Sequence, residues 1–246
     1  MTEQTSVVYP EWHVPQHVKA FTTTRLGGVS EGSCSSLNVG LHVGDNPQCV
    51  EANRDRVPYS QHIHWLNQTH SSRCIALPSN QHTADASYTS TVNVACAVMT
   101  ADCLPLLMTD GAGSTVAAVH AGYEGLRNGI IAKTINQAFD QVPRANINVW
   151  IGPAIGVCHY EVSVDMAGPF LPLPNAVKAS PLGSAKRMLD LKLIASHQLT
   201  ELGLTRIIVS QQCTYCDDQR FFSYRRATHQ GDSNCGRMVS VICKLG

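Results

Sequence analysis

The stretch Met99–Gly125, MTADCLPLLMTDGAGSTVAAVHAGYEG, decides the fold. It reads as an apolar run carrying Asp102 and Cys103, a Gly-rich turn at Gly111 and Gly113, and a second apolar run, Thr115 to Val119, that ends in His120. Short apolar runs of β-branched and small residues closed by glycine are the pattern of buried strands. Polar groups at the end of such a strand are delivered to a site rather than to the core. Cys103 and His120 are therefore expected to face one cavity.

Downstream, Leu126, Ile130, Ile131, Ile135, Ala138 and Phe139 recur at three- and four-residue spacing, which predicts one amphipathic helix over 125–139. It would start directly after the strand that bears His120, and a strand, Gly turn and helix in that order form an anion cradle. Ile147–Ile151 reads as a strand closing in Gly152-Pro153, followed by a Gly/Cys/His segment at 156–161. Pro169, Pro172, Pro174 and Pro181 mark an irregular stretch with no assigned element. Met188–Leu202 reads as a second amphipathic helix with Gly203 just past its end, and 206–210 as a strand. The segments 221–226 and 238–245 finish the chain.

Upstream, Val18–Thr24 is an alternating β-type segment, followed by a turn at Gly27-Gly28 and a long polar loop over 32–46. Pro47 opens a short helix. Its Asn53-Arg54 pair is either a solvated helix face or a clamp on the preceding loop through the fork of guanidinium donors. Ile63–Leu66 and Ile75–Leu77 read as strands, and Asp85-Ala86 as the lead into a second polar loop.

The bulk properties exclude several classes. In 246 residues, 18 basic and 18 acidic side chains cancel, and no cationic run exceeds a pair such as Arg225-Arg226, so the footprint of a nucleic-acid binder is missing. Residues 1–10 lack a basic segment followed by an apolar one, and no run reaches the ~18 apolar residues of a membrane span. A cytoplasmic protein without membrane or nucleic-acid partners is expected, as one domain over 1–246. The ten cysteines are about 4% of a chain without an export signal, and are expected to be thiols. Cys213 and Cys216 form a CxxC, either half a zinc site or a redox pair. No second CxxC or close His pair accompanies it, so it is read as structural.

His62, His64 and His70 give a metal-like density of imidazoles. His62 and His64 share a strand face and read equally well as a polar stripe, whereas His70 stands at a strand end. His70, Cys103 and His120 together make two imidazoles and a thiolate, a set that suits zinc or copper and leaves a fourth position open. Spacing alone leaves a Cys–His nucleophile pair as the competing reading.

Segments along nearly the whole chain resemble the laccase-domain (YfiH) family: FTTTRLGGVS (21–30), NVGLHVGD (38–45), Asn53-Arg54, LNQTH (66–70), TADCLPLLMTD (100–110), HAGYEG (120–125), IGPAIGVCHYEV (151–162) and FFSYRR with a later GR (221–237). The resemblance implies an α/β (α+β) sandwich with two mixed sheets. It implies a metal held by His70, Cys103 and His120, with zinc the first choice and copper the second. It implies phosphorolysis of adenosine, inosine, guanosine and methylthioadenosine, with adenosine deamination besides. Purine nucleosides and phosphate would be its partners, and the chain a monomer or weak homo-oligomer. Asp102 and Cys103 are then the catalytic candidates, Asp102 as an orienting group or a proton acceptor. Gln68, Arg25, Arg225 and Arg237 are the substrate and phosphate candidates.

Two departures stand out. HAGYEG replaces HAGWRG, putting Tyr123 and Glu124 where the family has Trp and Arg. A carboxylate at the mouth of the site would repel phosphate unless it points away or pairs with Arg225 or Arg226. The final TGR is Cys235-Gly236-Arg237, after an insertion around 229–234. Among rival classes, a multicopper oxidase needs several His-x-His pairs where only His62-Ile63-His64 is present. A nucleobase deaminase of the usual zinc type would show His-x-Glu and Pro-Cys-x-x-Cys. A Cys–His hydrolase or amidase stays open.

Overall fold

The computed structural model describes residues 6–232 and 234–246; positions 1–5, part of the 1–10 start, and position 233 of the 229–234 insertion lie outside the described residues. Two mixed sheets form the frame. The first has five strands in the order β1 (Val7–Val8), β2 (Val18–Thr23), β14 (Met238–Lys244), β6 (Ala95–Thr100), β3 (Ile63–His64), antiparallel except for β3 beside β6. The second has six, in the order β13 (Arg206–Val209), β9 (Ile147–Ile151), β7 (Leu104–Asp110), β8 (Val116–Ala121), β5 (Ala86–Thr89), β4 (Cys74–Ala76). Its outermost pairs are parallel and its inner pairs antiparallel.

The side-chain period of two sends alternate residues of β7 to opposite faces. Leu106 and Met108 pack with the helices α3 (Ile130–Ala138) and α5 (Leu191–Glu201), while Leu107 packs toward the five-stranded sheet with Val98, Trp150 and Ile242. Both faces are thus covered, and every residue of β7 and β8 is buried. That is why these strands read as continuous apolar runs rather than alternating ones. Full burial of each large aliphatic side chain is worth about 1.5–3 kcal/mol.

The apolar run that carries Asp102 and Cys103 is not one strand. β6 ends at Thr100 in one sheet and β7 starts at Leu104 in the other, so residues 101–103 are the crossing point between the two layers. Asp102 makes the turn with φ at 92°, a strained value for a residue with a Cβ. The helix expected over 125–139 is broken in two, α2 (Tyr123–Arg127) and α3, by Gly129 at φ 72°. With only five residues in α2, the anticipated anion cradle of a long helix is absent there. The helix expected from Met188 starts at Leu191. Residues 186–189 pair as β12 in a third, antiparallel sheet with β10 (Glu161–Ser163) and β11 (Val177–Ala179), and Asp190 caps the helix by accepting from the Leu193 amide at 3.0 Å. Of this small sheet only β11 lies in the proline-rich stretch that had no assignment, while β10 and the short helix α4 (Val164–Ala167) precede that stretch and β12 follows it.

The helix α1 (Pro47–Arg56) is capped by Asn46 and clamps the preceding loop. Buried Asn53 donates to Ser30 Oγ and to the Ser36 and Asn38 carbonyls, and accepts from the Val29 amide. Arg54 donates through Nε to the Val39 carbonyl at 2.9 Å while stacking on Trp65. The clamp reading of this pair is the one the structure carries. Ser223 caps the last helix, α6 (Tyr224–His229), built from the FFSYRR segment.

Candidate metal and ligand site

The crossing point delivers three donors to one place. His120 lies near the end of β8, opposite Pro105 of β7, and Cys103 sits just ahead of β7. His70 comes from the loop after β3 with φ at 59°. The three ligand atoms lie within 4.8 Å of one another, with Cys103 Sγ 4.0 Å from His70 Nε2 and the two imidazoles edge to face. Gly122 makes the approach possible. A Cβ there would stand 2.8 Å from Cys103 Sγ and 3.3 Å from His70 Cδ2.

Asp85, fully buried just ahead of β5, ties the cluster together. Its carboxylate accepts from the amides of Thr69, His70 and Ser71, from Ser71 Oγ, and from His120 Nδ1 at 2.8 Å. One acidic group therefore fixes the loop that bears His70 and the tautomer of His120, whose Nε2 is left toward Cys103. Burial alone would raise the Asp85 carboxyl, but His120 and the Ser71 donors outweigh it and hold it at about 2. Burial would likewise raise the Cys103 thiol, and the His120 and His70 imidazoles instead bring it down to about 6. His120 opposes its own desolvation with the Cys103 and Asp85 charges and rises to about 9. The soft thiolate, the two imidazoles and their spacing fit a zinc- or copper-like ion with one further position open to ligand.

The donors open into a cavity of about 510 Å³ whose wall includes His42, Gln68, Thr100, Tyr160, Arg225 and Arg237, within the ~300–1,000 Å³ usual for small-molecule sites. Arg225 is held by its own Nη1, which donates to the Glu161 carbonyl at 2.8 Å. Arg237 Nη1 is anchored on the Cys235 carbonyl at 2.6 Å. Gln68 is committed at both ends to the backbone of Met99, which makes it a brace for β6. Asp102 also lines the cavity, yet both its oxygens are taken, one by Thr214 Oγ1 and one by the Arg225 amide, each at 2.7 Å. Each oxygen of this carboxylate thus accepts a hydrogen bond from the protein. The Thr100 hydroxyl is buried without a protein partner among the described residues.

Arg25 lies elsewhere. Its guanidinium donates to the Ser35 and Asp218 carbonyls, stacks on Phe222, and lines a different depression together with Arg226. Arg226 in turn is spent on the carbonyls of Thr214, Tyr215 and Phe221. Glu124 points away from the cavity and pairs with Arg127 at 3.4 Å, while Tyr123 donates to the Met166 carbonyl. Neither Tyr123 nor Glu124 lines the cavity. His64 stacks on His82 and bonds the Gln81 carbonyl, so neither it nor His62 belongs to the donor cluster. No motif pointed to Asp85. Its only signal is a carboxylate at the head of a small-residue strand, in TADAS. His42 and Tyr160 lie inside stretches that carry the family resemblance, but nothing in their spacing singles them out.

The model of a family described as multi-copper polyphenol oxidoreductase laccase matches residues 19–244. The chain belongs to this family. Among its laccase-family relatives, a purine nucleoside phosphorylase of Haemophilus influenzae is 41% identical over 245 residues, covering 96% of this chain and 98% of that protein. The purine nucleoside phosphorylase YfiH of Escherichia coli is 39% identical over 244 residues, with the same coverage. A crystal structure from Neisseria meningitidis superposes with a TM-score of 0.89 at 39% identity, over 98% of this chain and 99% of that one. The YfiH structure from Bacillus licheniformis gives 0.87 at 32%, over 100% and 98%.

Proposed function

We propose that this laccase-family chain is a metal-dependent purine nucleoside phosphorylase. It cleaves adenosine, inosine, guanosine and methylthioadenosine with phosphate and also deaminates adenosine, as a cytoplasmic monomer or weak homo-oligomer using zinc, or else copper. The observation that carries this reading is one cavity with a thiolate–imidazole centre at its base and two anchored guanidiniums in its wall. The names of its relatives point the same way.

In phosphorolysis a phosphate oxygen forms a bond to C1′ of the ribose. The C1′–N9 bond breaks and its electron pair leaves with the purine. Arg225 and Arg237 hold the anion and screen its charge as it approaches, and their fixed positions lower the reorganisation needed at the moment of reaction. Burial, reinforced by the Cys103 thiolate, pushes the Tyr160 hydroxyl above its ordinary range despite the opposing Arg225. Tyr160 therefore stays protonated and can donate a hydrogen bond to a departing purine nitrogen. Asp102 positions Arg225 through its backbone amide. His70, Cys103 and His120 would hold the metal. When bound, it supplies Lewis-acid charge beside the substrate, the chemistry that deamination also needs.

The test is product analysis of metal-loaded protein incubated with inosine or adenosine, with and without phosphate. Hypoxanthine and ribose 1-phosphate should form in equal amounts from inosine only when phosphate is present, and inosine from adenosine without it. No phosphate-dependent release of base from any of the four nucleosides would overturn the proposal.

A further inference from the structure

We infer that the chain carries a second, structural metal site formed by Cys158, His159, Cys213 and Cys216, on the outer side of the wall that bears Tyr160 and Arg225. The sequence shows only half of it, because the second half is a Cys-His dipeptide rather than another CxxC. The fold brings the two together through a bridge between Ala154 and Cys213 and a hydrogen bond from the Thr214 amide to the Ala154 carbonyl.

The four ligand atoms all lie within 4.8 Å of one another. Cys158 Sγ is 3.8 Å from Cys213 Sγ and 3.7 Å from Cys216 Sγ. A tetrahedron with zinc–sulfur bonds of about 2.3 Å has sulfur–sulfur edges of about 3.8 Å. His159 Nδ1 stands 3.2 Å from Cys158 Sγ and 3.3 Å from Cys216 Sγ, so a bound ion requires these two edges to open by roughly 0.3 Å. The Gly156 amide donates to Cys213 Sγ at 3.1 Å, as backbone amides do to metal-bound thiolates. The imidazole is fixed by stacking on Tyr215 at 3.9 Å, and Tyr215 is itself bonded through its hydroxyl to His229. Three cysteines and one histidine complete four-coordination without leaving an open position, the arrangement of structural rather than catalytic zinc.

The ion would staple two loops already joined by a single bridge, the Gly156 amide and one ring stack. One carries Tyr160 and the carbonyls of His159 and Glu161 that hold Arg225. The other carries Thr214, the partner of Asp102. A disulfide is the rival, but three thiols leave one unpaired, and the sulfurs sit at metal-edge rather than bonding distance.

The full-length protein, purified in reducing buffer with zinc, should hold two zinc ions per chain. Cys103→Ala should retain one, and the double variant Cys158→Ser/Cys216→Ser should also retain one. Cobalt substituted into Cys103→Ala should show thiolate charge-transfer bands and tetrahedral d–d bands. Chelation should raise the alkylation rate of Cys158 and Cys216 in the same variant at least tenfold. Should the double variant fail to fold, the metal content and cobalt spectrum of Cys103→Ala decide alone. A metal-free Cys103→Ala protein, or an intact mass showing a disulfide among the three cysteines in reducing buffer, would overturn the site. Loss of metal only from the His70–Cys103–His120 cluster would instead leave it standing.

Discussion

Replacing Asp85 by Asn tests whether one carboxylate organises the metal cluster. The carboxylate accepts five hydrogen bonds, three on Oδ2 and two on Oδ1. An amide keeps one accepting oxygen and turns an NH₂ toward the others, so whichever way it lies at least two donors lose their acceptor. Each such bond to a charged group is worth about 1.5–3 kcal/mol, and breaking a buried pair costs about 3–5 kcal/mol in all. If His120 changes tautomer to accept from the amide, its proton moves to Nε2, the nitrogen left for the metal. Metal affinity should then fall about 10- to 100-fold, and Tm by roughly 10 °C at about 2–4 °C per kcal/mol for a chain of this length. The pH dependence gives an independent reading. The folded carboxyl lies at about 2 against an ordinary 3.8, so its contribution is complete above 3.8 and is lost as pH falls through 2. Wild type should lose about 2 kcal/mol over that window, and the Asn variant should lack this slope. Chelator competition and thermal melts from pH 2 to 7 measure both effects. Unchanged affinity with Tm within ~2 °C of wild type, against the magnitudes above, would refute the role given to Asp85.

Three other outcomes follow from the geometry. Arg225→Ala should raise the KM for phosphate by about one to two decades, the equivalent of one charged hydrogen bond, whereas Arg25→Ala should leave it within twofold because Arg25 faces another depression; equal effects in steady-state kinetics would misplace the anion. Gly122→Ala brings a Cβ to 2.8 Å from Cys103 Sγ and should reduce metal content at that cluster while leaving the Cys158 cluster loaded, so equal occupancy by elemental analysis would show that the close approach has no consequence. Metal-free Cys103 should alkylate with a pKa near 6, its thiolate persisting above that pH and lost below it, and metal should slow the reaction. Fast alkylation of metal-loaded protein, with a substrate-derived adduct on Cys103, would replace the metal-enzyme reading by that of a Cys–His hydrolase.

Much of the frame was legible because burial on two faces leaves a plain mark. β7, β8 and β9 are mostly apolar and bounded by turns, and Cys103 and His120 stand at or near the ends of β7 and β8. The break at residues 101–103 was not legible, since Thr100-Ala101 and Leu104-Pro105 are compatible with one continuing strand. Only the competition between two sheets for β6 and β7 forces the turn. Arginines show the opposite limit. Arg25, Arg225, Arg226 and Arg237 are alike in sequence, and which of them faces a ligand depends on which carbonyls their guanidiniums find first. The strand β11 of the proline-rich stretch is only three residues long, too short to leave a period.

The same crossing point explains why two donor clusters can occupy one small region without competing for an ion. Cys103 leaves it toward the inner cavity. Asp102, one residue earlier, reaches to Thr214 Oγ1 and to the Arg225 amide, and Thr214 lies between Cys213 and Cys216 of the outer cluster. The wall between the clusters is therefore held from both sides, by Asp102 within and by the Cys158–Cys216 group without. Arg225 is bonded to Asp102 through its amide and to the His159 and Glu161 carbonyls through its guanidinium, so loosening either side of the wall shifts it. If Arg225 holds the phosphate as proposed, loss of the outer cluster should raise the KM for phosphate through the position of Arg225, whereas loss of the inner cluster should lower kcat; an unchanged KM for phosphate in Cys158→Ser/Cys216→Ser, measured by steady-state kinetics, would refute the link.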